Sequence, residues 1–534
     1  MRKWCALFGF RMALGRPVPA KVASRVAVVG AGVGGLVCST NLARAGLDVT
    51  LFEKHEQCGG RMQSEMVGDY RFDVGPSLLL LPDVYKNTFA SLGGDIADYT
   101  RLVEVADPLY RVYFEDDEQP VDVRRKDDSE GWTASFEKLA PGRGQEMFTA
   151  YKGYLRTASS FLKFGWPAVI EERPLQNLDK LPSFLLACLR SWPLSTQIDM
   201  LQSFFGRDEK KIHALLSFQT LYVGLAPGET PAVFSLLQAL ELEKGIFYPQ
   251  GGFGRVAQGL KSLAERAGVK IRLNESVSAV RVRSVGEENS AKGLDTPSSH
   301  LPFDQVVLNV DVPFAEDTLV PEASLRDDGA ISSRPSCGVV SLSLGINRRL
   351  DALAHHTLFL SGADEAASWA SVTQPDTSSF NPDAFNFYVH APERTDPTCC
   401  PPGQDAITVL VPVPPLPRGQ GRSEEDEQVL VAQVRAAVFK RLAPVCGDVE
   451  SFIVCESTRS PITWKDEFGL FRGQVFGLAH SLQQLSLLRP RFRHPKVRGL
   501  WRTGASTRPG NGVPLTMVSG KLASDAILDS LHIR

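Results

Sequence analysis

A glycine-rich turn between a short apolar run and a helical pattern constrains the fold of this chain more than any other feature. The turn reads G-A-G-V-G-G at 30–35 and follows four apolar residues at 26–29. The helical pattern after it closes at Gly46, and a second apolar run at 49–52 leads into Glu53. This order of strand, turn, helix and strand predicts a βαβ unit of the Rossmann type, which binds dinucleotides.

Each part of the turn has a physical role in that prediction. Gly30 allows the tight turn, Gly32 lets the backbone approach a pyrophosphate, and Gly35 lets the helix pack closely on the strand. The free N–H groups at the helix N-terminus attract phosphates, and Glu53 can accept hydrogen bonds from ribose hydroxyls. We therefore predict that these residues and Gly34 bind the cofactor. A glycine turn without a ligand is the alternative, which the complete βαβ context disfavours.

A second glycine pair identifies the kind of dinucleotide. Gly59, Gly60 and Arg61 follow Glu53, and F-D-V-G-P stands at 72–76. The pattern E-x5-G-G-R followed by F-D-x-G-P resembles the amine-oxidase and phytoene-desaturase superfamily of FAD enzymes. The resemblance implies FAD as the cofactor, with Gly60 and Arg61 along its diphosphate and ribityl chain.

Two further segments narrow the resemblance. F-Q-T-L-Y-V-G-L-A-P at 218–227 and P-G-N-G-V-P at 509–514 are similar to the bacterial and fungal type of phytoene desaturase, within the carotenoid-retinoid oxidoreductase family. The resemblance implies that Gly504, Gly512 and Val513 contact the flavin and that Val277 meets the adenine. A helix beginning near Val513 would point its positive end at the flavin and stabilise negative charge there.

The resemblance also implies the domain organisation. We expect an α/β protein with a Rossmann-type FAD-binding domain built from discontinuous segments, 26–100, 245–312 and 460–534. Residues 271–277 and 306–309 are predicted to be strands of this domain. Segments 101–244 and 313–459 would form an α+β substrate domain that faces a membrane. Residues 1–25 are basic and are either a disordered leader or a transit segment. Two polar segments, 284–300 and 412–428, are predicted to be surface loops.

The chemistry of such an enzyme needs few protein groups. Desaturation removes a hydride and a proton from adjacent carbons, and FAD can accept the hydride. The sequence shows no Ser/His/Asp signature, so the catalytic residues stay unknown. Tyr222 and Arg508 are the substrate-side candidates. The family usually carries a histidine at position 508; arginine is a poor base, so it either stabilises negative charge or is structural, and the exact reaction stays open.

The expected partners are a hydrophobic polyene, a membrane surface, and oxygen or a quinone as electron acceptor. Apolar and basic residues alternate at 154–205, which fits a peripheral membrane surface or the core of the substrate domain. The sequence contains no uninterrupted run of about 18 apolar residues, so it predicts no helix that spans a membrane. The formal net charge of −3 does not indicate binding to nucleic acid. The nine cysteines are scattered and form no C-x-x-C motif, so they indicate neither a disulfide framework nor a metal site. The location would be plastidic if the leader is a transit peptide, and otherwise cytoplasmic.

Three alternatives to a desaturase remain. A carotenoid isomerase using reduced FAD would share the fold but leave the mass of its substrate unchanged. An amine oxidase would need a lysine near the flavin and an aromatic cage, neither of which the sequence identifies. A non-catalytic FAD-binding partner would bind the cofactor and transfer no hydride.

Overall fold

The structure is a computed structural model that describes residues 24–533 apart from 116, 118, 126, 167–169, 171–180, 363–364, 375–379, 420 and 486–487. The predicted leader at 1–25 lies outside the described residues except for its last two positions. Part of the predicted membrane surface at 154–205 also lies outside them.

The described chain alternates between strands and helices, with both types of element in each half of the molecule. The strands are β1 (Arg25–Val29), β2 (Asp48–Phe52), β3 (Ser64–Val67), β4 (Tyr70–Asp73), β5 (Leu102–Glu104), β6 (Tyr110–Phe114), β7 (Val121–Val123), β8 (Phe247–Pro249), β9 (Lys270–Arg272), β10 (Ala279–Val285), β11 (Glu288–Asp295), β12 (His300–Pro302), β13 (Gln305–Leu308), β14 (Gly338–Ile346), β15 (His356–Leu360), β16 (Phe387–His390), β17 (Asp405–Val413), β18 (Ile453–Arg459) and β19 (Leu500–Arg502). The helices are α1 (Val33–Arg44), α2 (Pro82–Ser91), α3 (Ser129–Leu139), α4 (Gly144–Gly165), α5 (Leu181–Arg190), α6 (Gln197–Phe205), α7 (Lys210–Leu215), α8 (Leu236–Lys244), α9 (Phe253–Arg266), α10 (Val312–Thr318), α11 (Asp328–Ile331), α12 (Glu365–Ser368), α13 (Ala370–Thr373), α14 (Glu424–Cys446), α15 (Pro461–Phe468) and α16 (Val513–Ser530). This mixture confirms the predicted α/β class.

One sheet is parallel and has the order β19-β13-β1-β2-β9. Its central strand β1 is buried on both faces, as expected where helices cover a parallel sheet on both sides. Helices α1 and α16 pack on one face, and the contact is close because a β-carbon at Gly520 would lie 2.6 Å from the carbonyl oxygen of Gly34. The five strands come from the three segments predicted to form the FAD-binding domain.

The second large sheet has seven strands in the order β18-β14-β17-β16-β15-β6-β7. Its neighbours are antiparallel except for β15 and β6, which are parallel. All nine residues of β14 are buried, because one face packs under α14 and the other faces the interior. Helices α3, α4 and α6 pack around an aromatic cluster that includes Trp132, Phe136 and Tyr151, and α3 contacts β7 of this sheet.

Three local predictions were wrong. The predicted loop at 284–300 is a meander in which β10, β11 and β12 pair antiparallel, since its polar residues alternate on an exposed strand face. The predicted loop at 412–428 shrinks to the residues between β17 and α14, because Ser423 caps α14 and four acidic residues follow in its first turn. The strand predicted at 271–277 ends at Arg272, and Asn274 then adopts a left-handed conformation with φ 54°.

Candidate active site

A cavity with a volume of about 1310 Å³ lies between the two large sheets. The glycine turn after β1 lines one end, and apolar residues of α4, α5 and α8 line the other. The carboxyl ends of β1, β2 and β13 point into the first end. A cavity at the carboxyl edge of a parallel sheet is where Rossmann-type proteins bind dinucleotides.

The glycine turn is fixed by contacts that exclude side chains. A β-carbon at Gly35 would lie 2.1 Å from the carbonyl oxygen of Gly30, and one at Gly34 would lie 2.7 Å from Asn309 Oδ1. Gly30, with φ 96°, and Gly32 line the cavity, whereas Gly34 and Gly35 pack beneath the turn. The predicted cofactor glycines therefore divide into two that can face a ligand and two that let α1 approach the sheet.

Asn309 holds the turn from the neighbouring strand. Its Nδ2 donates to the carbonyl oxygen of Gly30 at 3.0 Å, and its side chain lines the cavity. Residues 306–309 were predicted to be a strand, but no role was predicted for Asn309. A polar residue directly after a buried parallel strand was the signal that could have identified it.

Glu53 lies where the sequence argument placed it, at the end of β2. It is 6% exposed, and its two carboxylate oxygens accept hydrogen bonds from the backbone N–H of Ala31 at 2.8 Å and of His55 at 3.1 Å. These bonds fix the carboxylate at the cavity wall. Each oxygen keeps a lone pair that can accept from a ribose hydroxyl.

The second glycine pair, Gly59 and Gly60, lies directly against the glycine turn at 30–35. The N–H of Gly59 donates to Ala31 O at 2.8 Å, and a β-carbon at Gly60 would lie 3.4 Å from the Cα of Gly32. Arg61 lines the cavity and donates to the carbonyl oxygen of Val475. Burial lowers the pKa of Arg61, and Asp311 opposes that effect. The structure thus brings Gly60 and Arg61 next to the glycine turn.

The loop 503–514 closes the cavity from the C-terminal side. Gly504, with φ 111°, Gly512 and Val513 all line the cavity, and α16 begins at Val513 with no side chain capping its N-terminus. Val277 lines the cavity beyond Glu53, because the N–H of Glu275 donates to Glu53 O at 2.9 Å. The cofactor residues predicted from both ends of the chain therefore meet in one cavity.

Arg489 holds the closing loop, and the sequence did not predict this role. This buried side chain donates to the carbonyl oxygens of Ala505 at 3.0 Å and Thr507 at 3.1 Å, and also to those of Leu478 and Ala479. Burial lowers its pKa to about 9. No local pattern marks it, because its role depends on loops that meet only in the fold.

The two substrate-side candidates differ in position. Tyr222 is part of the cavity wall, and its carbonyl oxygen accepts from Asn511 Nδ2 at 2.5 Å. Arg508 is not one of the described residues that line the cavity, where its neighbour Pro509 stands instead. The two candidates are therefore not brought together on the substrate side.

The far part of the cavity is almost entirely apolar. Its wall there includes Phe161, Leu162, Phe164, Phe184, Phe218, Leu221, Val233, Phe234, Leu237, Leu240, Leu358, Leu360, Phe387 and Leu410. The cavity reaches the surface beside Trp192, Leu482 and Leu488, which also line it and are 60%, 43% and 66% exposed. Such a wall suits a long hydrocarbon and excludes water from the region next to the glycine turns.

The residues at the first end fit a flavin dinucleotide. Two helix N-termini without side-chain caps, those of α1 and α16, face the same cavity. Such ends attract anions, so one suits a diphosphate and the other a ring that gains negative charge.

No cluster of histidine, cysteine or acidic side chains suited to a metal ion was found among the described residues. No described helix is long and apolar enough to cross a membrane.

Comparison with known proteins agrees with this geometry. The model of the family described as flavin containing amine oxidoreductase matches residues 33–528. A phytoene desaturase of Fusarium fujikuroi is 31% identical over 94% of this chain and 89% of its own length. A zeta-carotene-forming phytoene desaturase of Myxococcus xanthus is 32% identical over 95% of this chain and 94% of its own length. A solved oxidoreductase of Methanosarcina mazei shares the fold with a TM-score of 0.59 at 15% identity, covering 94% of this chain and 100% of its own.

Proposed function

The chain belongs to the flavin containing amine oxidoreductase family, and within that family we propose that it desaturates a carotenoid precursor such as phytoene. It is an FAD-dependent oxidoreductase. The observation that carries the proposal is the single cavity that joins a dinucleotide site to a long apolar wall. Relatives that span nearly the whole chain are desaturases of such substrates by name.

FAD, when bound, supplies the acceptor for a hydride. The residues of this chain supply position and environment. The wall formed by Phe218, Leu240 and Phe387 can hold a polyene without offering it a hydrogen bond. The N-terminus of α16 and the guanidinium of Arg61 place positive potential beside the site, which stabilises negative charge that develops there.

Co-expression tests the proposal directly. The chain is produced in a host that makes phytoene and has no desaturase, and the pigments are analysed by absorbance and mass. We expect coloured products that are lighter than phytoene by two hydrogens for each step. Products of unchanged mass would instead indicate an isomerase, and untouched phytoene beside an FAD-loaded protein would overturn the desaturase assignment.

The proposal includes loading of the polyene from a membrane surface. Leu185, Leu186 and Leu189 on α5 are 52%, 69% and 87% exposed, and Trp192 follows at the cavity opening. Leu482 and Leu488 lie at the same opening. A helix with such a face can lie in the headgroup region with its apolar side in the lipid. The attachment is peripheral, and the opening faces the layer that dissolves the substrate.

Reoxidation of the cofactor is proposed to use oxygen or a quinone. A quinone would share the lipid layer with the polyene, and the apolar opening beside Trp192 would admit it. Turnover under anaerobic conditions with a soluble quinone distinguishes the two acceptors: continued product formation supports a quinone, and arrest after one reduction of the flavin supports oxygen.

A further inference from the structure

A glutamate is buried behind the apolar wall of the cavity. Glu241 lies on α8 and is 2% exposed, while Leu236, Leu237 and Leu240 of the same helix line the cavity. No lysine or arginine pairs with it in the described part of the chain. A buried carboxylate loses its hydration, and here no opposite charge compensates for that loss. Glu241 therefore destabilises the folded protein when it is ionised, which suggests that it has a functional role.

A chain of hydroxyl groups connects Glu241 to the cavity. Tyr110 on β6 donates to Glu241 Oε1 at 2.9 Å, and Gln219 Nε2 donates to Oε2 at 3.1 Å. The side chain of Tyr222, which lines the cavity, lies next to Tyr110, close enough for the two hydroxyl groups to interact. Because Tyr110 gives its proton to Glu241, its oxygen is left to accept from Tyr222. The path therefore runs from the cavity wall through two phenols to one carboxylate.

The cavity end of this path lies beside the cofactor site. The carbonyl oxygen of Tyr222 accepts from Asn511 Nδ2, and the same amide donates to Phe476 O at 3.0 Å. Asn511 precedes Gly512 and Val513, where α16 begins. Tyr222 is thus fixed to the loop that closes over the dinucleotide end of the cavity.

Glu241 can take both protonation states near neutral pH. Burial raises its pKa to about 7, against the opposing hydrogen bonds from Gln219 and Tyr110. The titratable groups around it are Tyr110 on β6, Tyr151 on α4, Tyr222 on the 3₁₀ helix Phe218–Val223, Tyr388 on β16 and, in contact with Tyr110, His356 on β15. Burial raises the pKa of each phenol and lowers that of the imidazole, so these neighbours stay neutral while Glu241 titrates.

We propose that Tyr222, Tyr110 and Glu241 form the proton acceptor of the desaturation, with Tyr222 as the catalytic residue and Glu241 as the group that stores the proton. This inference rests on the function proposed above. One C–H bond of the polyene gives up a hydride, with its electron pair, to FAD. The neighbouring C–H bond gives its electron pair to the new double bond and its proton to the Tyr222 oxygen. Tyr222 passes its own proton to Tyr110, and Tyr110 passes its proton to Glu241 Oε1.

The proton on Glu241 returns by the same path. Oxygen or a quinone would reoxidise the cofactor. The acceptor would receive two electrons and the hydrogen that the polyene gave up as hydride, and it would take up one further proton. That proton leaves Glu241 through Tyr110 and Tyr222, so each cycle ends with the carboxylate restored. The relay needs no connection to bulk water, which agrees with its burial behind an apolar wall.

The test measures proton transfer and the carboxyl group separately on the FAD-loaded full chain. Anaerobic reduction of the flavin by phytoene in phosphatidylcholine vesicles is followed between pH 5.5 and 8.5. We expect the rate of the wild type to rise with a midpoint near pH 7. Glu241→Gln and Tyr222→Phe should lower it about 100-fold, with no such midpoint in Glu241→Gln. Glu241→Asp should restore part of the rate, and Tyr85→Phe, which removes a buried hydroxyl away from the cavity, should leave it unchanged.

Infrared titration of the same proteins without polyene gives the second readout. A carboxyl band that titrates near pH 7 in the wild type and is missing in Glu241→Gln supports the relay. His480 also lines the cavity, but burial lowers its pKa well below the usual range, so it cannot produce this midpoint. Equal rates in wild type and Glu241→Gln would overturn the relay. A wild type that shows the band but does not reduce its flavin with phytoene would overturn the proposed function, and the relay with it.

Discussion

At Gly35 the distance from a β-carbon to the carbonyl oxygen of Gly30 would be 2.1 Å, which no side-chain rotation can relieve because the backbone fixes the positions of both atoms. We therefore expect Gly35→Ala to push α1 away from β1 and to destabilise the protein by roughly 2 kcal/mol or more. The purified variant should contain little FAD, measured by absorbance at the flavin band. Gly228→Ala is the matched control, because nothing lies within 4 Å of a β-carbon there. Equal flavin content in both variants would contradict the role given to Gly35.

The residues that could be predicted from the sequence are those whose roles are set by near neighbours. Gly30, Gly35 and Glu53 act within one βαβ unit, so their spacing alone identified them. Asn309 bonds backbone that is distant in sequence, and its only signal was its place directly after a buried strand. Arg489 could not be found from spacing, because the backbone that it bonds is shaped by the fold. The same holds for Glu241, whose partner Tyr110 lies 131 positions earlier.

Glu241 also makes a prediction about stability. Its pKa is raised from 4.5 to about 7 by burial, so the folded protein binds this proton more tightly than the unfolded chain. The contribution of this bound proton to the free energy of unfolding is complete below about pH 4.5, and it is lost as the pH rises through about 7. Relative to the wild type, Glu241→Gln should therefore gain roughly 2 to 3 kcal/mol of unfolding free energy between pH 5 and pH 8. Denaturant unfolding at both pH values measures this, with exposed Glu288→Gln on β11 as control; parallel pH dependences would refute it.

Among the elements, α1 and α16 define the cofactor end of the cavity and α5 defines its outer end. The first two begin at glycine turns that the sequence identified by motif. Helix α5 carries Ala187 as its buried residue and presents leucines outward. The sequence could show that 154–205 was apolar but not which side chains faced out, since Phe161 and Leu162 of α4 are buried and Leu189 of α5 is not.

The exposed leucines of α5 predict membrane binding. Leu186→Glu combined with Leu189→Glu should reduce flotation with phosphatidylcholine vesicles at least tenfold, because each leucine contributes on the order of 1.5 to 3 kcal/mol when buried in lipid. The rate with detergent-dispersed polyene should change little. Val429→Glu combined with Val454→Glu is the control, since these residues are also exposed but lie on α14 and β18. Equal flotation of both double variants would show that α5 does not contact the membrane.

Over the whole molecule, the chain passes repeatedly between the parallel sheet and the seven-stranded sheet, and the cavity lies where they meet. The discontinuous arrangement of the five parallel strands could be expected from a family resemblance. The order of the seven-stranded sheet could not, because its pairs join strands far apart in sequence, such as β6 with β15. Hydrophobic pattern predicts that such strands exist but does not select their partners.

A cofactor that contacts residues from both ends of the chain should stabilise the whole molecule. We expect removal of FAD to lower the free energy of unfolding by about 2.7 kcal/mol relative to the protein at a free FAD concentration of 100 Kd. Thermal unfolding of the FAD-free and reconstituted protein measures this effect. A melting temperature independent of FAD would mean that the cofactor does not bind across the cavity as described.

The central claim is that this cavity places a polyene against FAD for hydride removal, and one measurement tests it most directly. The FAD-loaded protein is mixed anaerobically with phytoene in vesicles, and the flavin absorbance is followed. The mass of the extracted polyene is then determined by mass spectrometry. The account predicts bleaching of the flavin together with a product two hydrogens lighter, in equal amounts. A flavin that stays oxidised, or a polyene of unchanged mass, would contradict it.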